Sequence, residues 1–346
     1  MIDFNSTQRI GIFRALQLGD MLCSIPALRS LRAAFPNAEV TLIGLPWAQS
    51  FARRFGKYFD DFISFPGYPG LPEQEFSQEA YAGFFRDIRN SDFDLLIQMQ
   101  GNGTIVNEMM GTWNARNLAG FHNNQSAMKS GLFLEYPSHI HEIHRHLLLM
   151  EHLGVPHAGD ELEFILTPDD INNFKLLEIQ QPYVCIHPGS RGRWRQWPPE
   201  LFARIADEFA EAGFNIAVTG TTSEADITGT VIDNMKHDAI DLTGMTTLGS
   251  MALLLQNSEM LVSNCTGVSH LAVAMRTPSV VISMDGEPER WAPLNARRHV
   301  TIDCRNQNRF HEVLNVVRRQ LKGITGKKQE NVEPSCGLLS TETKPL

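Results

Sequence analysis

Twice along this chain, short apolar runs alternate with longer stretches whose apolar residues recur at spacings of three and four, and that alternation restricts the fold more than any other feature. A continuous apolar run reads as a buried strand and a three-to-four spacing as a helix face. Residues 9–14 (RIGIFR) therefore read as a strand, 22–34 as a helix and 39–43 (EVTLI) as the next strand. This is a βαβ unit, which implies a parallel sheet. The pattern continues with a helix at 47–56, a strand at 61–65, a helix at 76–90 and a strand at 94–99 (DLLIQM). A helix at 140–153 is then closed by Gly154 and Pro156.

A polar stretch from Thr167 to Pro182 precedes a second series of the same plan. Strands are expected at 183–187, 215–219, 260–263 and 279–283, and helices at 199–212, 224–236, 248–256, 268–275 and 308–322. The fold class is α/β, with domains at 1–168 and 183–322, a linker at 169–182 and a polar tail at 323–346 expected to be disordered. The chain carries 30 Lys and Arg against 39 Asp and Glu, a net charge of -9, which opposes attraction to nucleic acid. Most of the excess lies in residues 1–170, so the second half is the easier place to hold an anion. Five cysteines (Cys23, Cys185, Cys265, Cys304, Cys336) form no CxxC pair, as expected of reduced thiols in a cytosol. The start, MIDFNSTQR, has no leader pattern, and no window of about 18 apolar residues follows, so neither export nor a membrane span is expected.

Four segments between strand and helix have the residue types for chemistry. Leu18-Gly19-Asp20 follows the first strand, and in open α/β sheets the crevice beyond the strand C-termini is where ligands bind. Asp20 there can serve as a base, or it can simply cap the helix. The segment His187 to Pro198 offers Gly189 for close backbone approach, the Ser190 hydroxyl, and Arg191, Arg193 and Arg195 beside a helix N-terminus. Together these read as a phosphate site, against the plainer reading of a solvated basic loop. Neither GxxxxGK[ST] nor a GxGxxG in the first βα turn is present, which removes P-loop and ordinary NAD-binding readings. Glu224 follows Thr219-Gly220 and can accept from a ribose diol or cap the next helix. Ser263 to His270 is a small polar loop whose amides at Thr266, Gly267 and Val268 open a helix and can hold a diphosphate.

Two other features have plainer explanations. His139, His141, His144, His146 and His152 crowd one segment, but there is no HExxH and they read as structural. Trp194 and Trp197 could stack nucleic-acid bases, yet the acidic balance opposes it, and Trp197 is expected to pack the loop onto its helix.

Taken in order, Arg14, Leu18-Gly19-Asp20, Pro26-Ala27-Leu28, His187-Pro188-Gly189-Ser190, Arg195-Gln196-Trp197-Pro198, Gly220 with Glu224, Asp241-Leu242-Thr243-Gly244, Thr266-Gly267, His270-Leu271-Ala272, Pro278 and Trp291 with Pro293 resemble glycosyltransferase family 9, the ADP-heptose:lipopolysaccharide heptosyltransferases. The resemblance spans roughly residues 9–322. It implies a GT-B fold, two Rossmann-like doubly wound domains facing across a cleft, with the acceptor on the first and the nucleotide sugar on the second. It implies an inverting transferase that moves heptose from an ADP-linked donor to a lipopolysaccharide-type glycan, with no cofactor and no metal. Asp20 matches the base, while Gly189, Ser190, Arg195, Glu224, Cys265, Thr266, Gly267 and His270 match donor-binding positions. Such an enzyme is expected in the cytoplasm, its acceptor bringing it into peripheral contact with the inner membrane. Cys265 departs from the family's Asn-Asp-Thr-Gly run, where the Asp is expected to touch the donor sugar. A nucleotide-sugar-binding protein without transferase activity and a same-fold sugar-nucleotide epimerase are the alternatives.

Overall fold

The computed structural model describes residues 6–123 and 132–330. In the first half, β1 (Arg9–Phe13), α1 (Leu18–Ala34), β2 (Glu39–Gly44), α2 (Ala48–Arg54), β3 (Asp61–Ser64), α3 (Gln78–Arg89), β4 (Leu95–Gln98), α4 (Val106–Met110), β5 (Asn117–His122), β6 (Phe133–Glu135) and α5 (Glu142–His152) follow one another. After α6 (Pro168–Lys175) come β7 (Tyr183–His187), α7 (Pro199–Glu211), β8 (Asn215–Val218), α8 (Ala225–Asn234), β9 (Ile240–Asp241) and α9 (Leu248–Asn257). The chain continues through β10 (Leu261–Asn264), α10 (Gly267–Ala274), β11 (Ser279–Ser283), α11 (Pro288–Trp291), β12 (His299–Asp303) and α12 (Phe310–Glu330).

The strands form two six-stranded sheets, ordered β3-β2-β1-β4-β5-β6 and β12-β11-β10-β7-β8-β9. All the pairings are parallel. Counted from its own first strand, each sheet runs third, second, first, fourth, fifth, sixth, the order of dinucleotide-binding folds, whose ligand crevice opens where the order reverses. The reversal falls between β1 and β4 in one half and between β7 and β10 in the other. Both central strands are buried on both faces, as their continuous apolar sequences require.

Beyond the short elements α4, β5, β6, β9, α11 and β12, which were not expected, three segments differ from the expectations. Helix α1 begins at Leu18 rather than 22, because Gln17 adopts the extended cap conformation and Gly19 is accommodated within the first turn. The stretch expected as a linker carries α6, opened by a capping box in which Thr167 and Asp170 satisfy each other's backbone groups, with Pro168 at the first helical position. That helix packs on α9, and Asp170 accepts from Arg54 Nη2 at 3.0 Å, so the connection is docked at both ends. Helix α12 runs through Gly323 to Glu330, eight residues beyond the expected end, and the rest of the expected disordered tail, 331–346, lies outside the described residues.

The halves are not separate cores. A single apolar cluster includes Leu22, Ile25 and Leu28 of α1, Leu254 and Leu255 of α9, and Leu271 and Ala272 of α10. Helix α1 packs directly on α10. No described helix is long and apolar enough to cross a membrane. Cys23, Cys185, Cys265 and Cys304 are buried free thiols.

Candidate active site

The contact between α1 and α10 sets the site. A Cβ on Gly19 would lie 2.9 Å from His270 Cδ2 and 3.3 Å from Gly267 Cα, so only glycines let the two helix N-termini meet this closely. Each N-terminus leaves N–H groups unpaired within its helix and carries a positive partial charge. Between them opens a cavity of about 260 Å³ whose walls include Asp20 from the first half and Ser190, Arg195, Cys265, Thr266, Gly267 and His270 from the second. Seven residues picked out of three distant sequence segments thus share one space. Ser190 and Arg191 also border a second cavity, of about 590 Å³, that contains Glu224.

Both sheets hold their crevice loops with side-chain amides. Gln100 Oε1, just past β4, accepts from Ala15 N at 2.7 Å. Asn264 at the end of β10 donates to Pro188 O at 2.6 Å and accepts from Trp197 N at 3.0 Å, fixing both ends of the basic loop. Trp197 is fully buried against Phe202 and Phe310, whereas Trp194 is exposed with the Arg195 guanidinium over its ring. At Gly189 a Cβ would lie 2.2 Å from Glu224 Oε1, so the glycine lets the carboxylate lie directly against the backbone. Glu224 Oε2 accepts from Thr221 N at 2.8 Å, which makes it a cap as well as a cavity residue. Thr266 caps α10 through its backbone only, and its hydroxyl takes no part in the cap.

Asp20 is the third residue of α1 rather than its cap, which is Gln17. Its backbone carbonyl accepts from Arg14 Nε at 3.0 Å and Nη2 at 2.7 Å. Burial pushes the Asp20 carboxyl above its ordinary value, opposed by Arg14 and Arg290 and assisted by Glu142. Such a carboxyl is a better proton acceptor than a solvated one. Behind it lies a buried network that sequence reasoning did not find. Glu142 accepts from Arg14 Nη2 at 3.3 Å, from Arg290 Nε at 3.0 Å, from His146 Nε2 at 3.2 Å and from Arg145. Burial works to raise the Glu142 carboxyl, but the His146 hydrogen bond and the guanidiniums hold it well below its usual range. The spacing of Glu142, Arg145 and His146 on one helix face was readable. The arrival of Arg290 from the other half was not.

Three of the crowded histidines, His141, His144 and His146, have structural partners. His141 Nδ1 caps α5 by accepting from Ile143 N, and its other nitrogen lies 2.8 Å from Ala292 O. Burial lowers His146 and His270 to about 4, so neither imidazole is charged at neutral pH. Arg195 Nη2 donates to Asp285 Oδ2 at 2.9 Å, a partner sequence reasoning missed, and its Nε is buried without a partner. Asp285 also stands close to Cys265, whose thiol is pushed up to about 12 first by burial and then by that carboxylate.

A family model described as glycosyltransferase family 9 (heptosyltransferase) matches residues 81–315. The chain belongs to glycosyltransferase family 9. Among curated members, the lipopolysaccharide core heptosyltransferase OpsX of Haemophilus influenzae is 21% identical over 82% of this chain and 81% of its own. The crystal structure of a family 9 glycosyl transferase from Veillonella parvula superposes with a TM-score of 0.73 at 17% identity, covering 95% of this chain and 90% of that one. The Escherichia coli ADP-heptose lipopolysaccharide heptosyltransferase II does so with 0.69 at 17% identity, covering 94% and 100%. At that identity the two structures bear on the fold, which is GT-B. Membership makes this chain a glycosyltransferase.

Proposed function

We propose that this chain is an inverting heptosyltransferase that passes a sugar from an ADP-linked donor to a hydroxyl of a lipopolysaccharide-core type glycan. One observation carries the reading: Asp20 and the Cys265-Thr266-Gly267 loop border the same cavity from opposite halves. In this reading the Asp20 carboxylate takes the proton of the acceptor hydroxyl as its oxygen attacks the anomeric carbon. The bond from that carbon to the diphosphate breaks on the far side, and ADP leaves with the electron pair. General-base help of this kind contributes about 10²–10⁴-fold in rate. The helix amides at Thr266 and Gly267, the Ser190 hydroxyl and Arg195 would meet the charge growing on the diphosphate, a preorganised electrostatic contribution that is often the largest one. Glu224, across Gly189, is the carboxylate for the ribose. The E. coli relative named above is an ADP-heptose lipopolysaccharide heptosyltransferase, which supports this donor and this acceptor class.

Cys265 bears on the donor. A neutral thiol pairs sugar hydroxyls poorly, so selectivity there rests on groups other than residue 265. The test is to incubate purified protein with a panel of ADP- and UDP-sugars and a heptose-containing core oligosaccharide, and to read the product's anomeric configuration by NMR. An inverted glycoside formed fastest from an ADP-sugar supports the reading. Retained configuration refutes inversion, epimerised donor supports a same-fold epimerase, and donor binding without turnover supports a binding protein.

A further inference from the structure

Glu73 is a second carboxylate in the wall of the Asp20 cavity, and nothing in the donor reading uses it. Its Oε2 is buried with no hydrogen-bond partner. A shielded anionic oxygen without a donor is costly, and its place in the wall of a cleft makes a bound hydroxyl a natural partner for it. The loop that presents it is tied down at several points. Pro66, Pro69 and Pro72 restrict the backbone of the segment before it. Phe65 is buried edge-on to Phe84, Tyr68 contacts Tyr81, and Leu71 packs on the core beneath the first sheet. Burial acts to raise the Glu73 carboxyl, its own backbone N–H and then Arg191 across the cleft oppose that, and the nearby Asp20 charge adds a smaller push upward.

The charge on the two walls differs. Among the described residues, the first half contributes Leu16, Gln17, Gly19, Asp20 and Glu73 to this cavity, so its charged groups there are carboxylates. The arginines, Arg191, Arg195 and Arg290, come from the second half together with Asp285 and Glu287; Arg195 is paired with Asp285 and Arg290 with Glu142, while Arg191 is exposed at the rim. We infer that Glu73 is a specificity-determining residue for the acceptor, accepting a hydrogen bond from a hydroxyl beside the one Asp20 activates and selecting uncharged polyhydroxyl sugars over phosphorylated or carboxylated ones. The inference rests on the reading that this cavity takes a sugar acceptor. An acceptor hydroxyl satisfies the orphaned oxygen. A phosphate at that point sets like charges together in a partly dry cleft, where their repulsion is several times stronger than in bulk water.

The experiment measures binding, so it does not depend on turnover. ADP-saturated protein is titrated with a methyl heptoside and with the same heptoside carrying a phosphate on a ring hydroxyl, followed by NMR. Wild type should bind the neutral heptoside at least about tenfold more tightly. Glu73→Gln keeps the shape and removes the charge, so that ratio should fall toward one while ADP affinity stays unchanged. Glu73→Ala should weaken neutral heptoside binding as well. Equal binding of the two heptosides by wild type, a ratio untouched by Glu73→Gln, or no heptoside binding at all overturns the inference. Failure of the transferase reading shows separately, as ADP binding without sugar transfer to the core oligosaccharide.

Discussion

Replacing Glu142 by Gln tests whether the buried network behind Asp20 holds the two halves together. The Glu142 side chain is 5% exposed, and Arg14 and Arg145 are each 1% exposed, so the substitution strands two guanidiniums away from water. Removing one member of a buried ion pair costs about 3–5 kcal/mol, because the charge left behind is uncompensated. Arg290, at 28% exposed, is better hydrated and contributes less. At roughly 2 °C per kcal/mol for a chain of this size, Tm should fall by about 6–10 °C. The sign of the pH dependence follows from the depressed Glu142 carboxyl. Its folded pKa lies below the ordinary value of 4.5, so its stabilisation is complete above that value and is lost as pH falls through the folded pKa. Chemical denaturation of both proteins at pH 7 and in the acid range below 4.5 therefore should give a gap that is wide at neutrality and narrows in acid. A gap under about 1 kcal/mol at pH 7, or one of the same size at both pH values, refutes the reasoning. The same variant removes a carboxylate that raises Asp20, so the acid limb of the kcat/KM profile should move to lower pH.

Arg195→Ala removes a guanidinium and leaves the Asp285 carboxylate unpaired beside the phosphates, so ADP affinity by calorimetry should drop roughly ten- to a hundredfold. An unchanged Kd contradicts that role. Cys265→Asp should shift donor preference toward ADP-heptose by about 1.5–3 kcal/mol, read as ratios of kcat/KM across ADP- and UDP-sugars. Identical ratios would mean that the buried thiol only packs. Gly19→Ala forces a methyl against His270 and the Gly267 backbone, and should cost about 1–3 kcal/mol in unfolding free energy together with ADP affinity. A variant with wild-type affinity would show that the α1–α10 contact does not shape the cavity.

The alternation of strand and helix was legible because each central strand is buried on both faces and helices such as α3 and α7 on one, although α1 and α9 are buried nearly all round. What escaped had no such signature. Strand β5 includes Asn117, Gly120 and His122, β6 has three residues and β9 two, and their pairing depends on neighbours already in place. Helix α6 was legible in Thr167-Pro168-Asp169-Asp170, a start signal hidden by the polar composition around it. The candidate site was legible as loops after strands, since the sheet order aims those loops at one crevice. Its cross-half partners were not. Asp285 meets Arg195 from ninety residues away, Arg290 meets Glu142 from the other half, and Glu73 reaches Asp20's cavity from a loop without periodicity. Such contacts are products of the tertiary fold, so no local window contains them.

The most direct measurement compares Asp20→Asn with wild type for both kcat and ADP affinity in the same preparations. The amide keeps the size of the side chain and its place in the first turn of α1, but it cannot take up a proton. With Asp20 as the base, kcat for sugar transfer falls by at least about a hundredfold while the Kd for ADP and the unfolding midpoint stay near wild type. A variant that retains more than about a tenth of the wild-type turnover contradicts the central assignment.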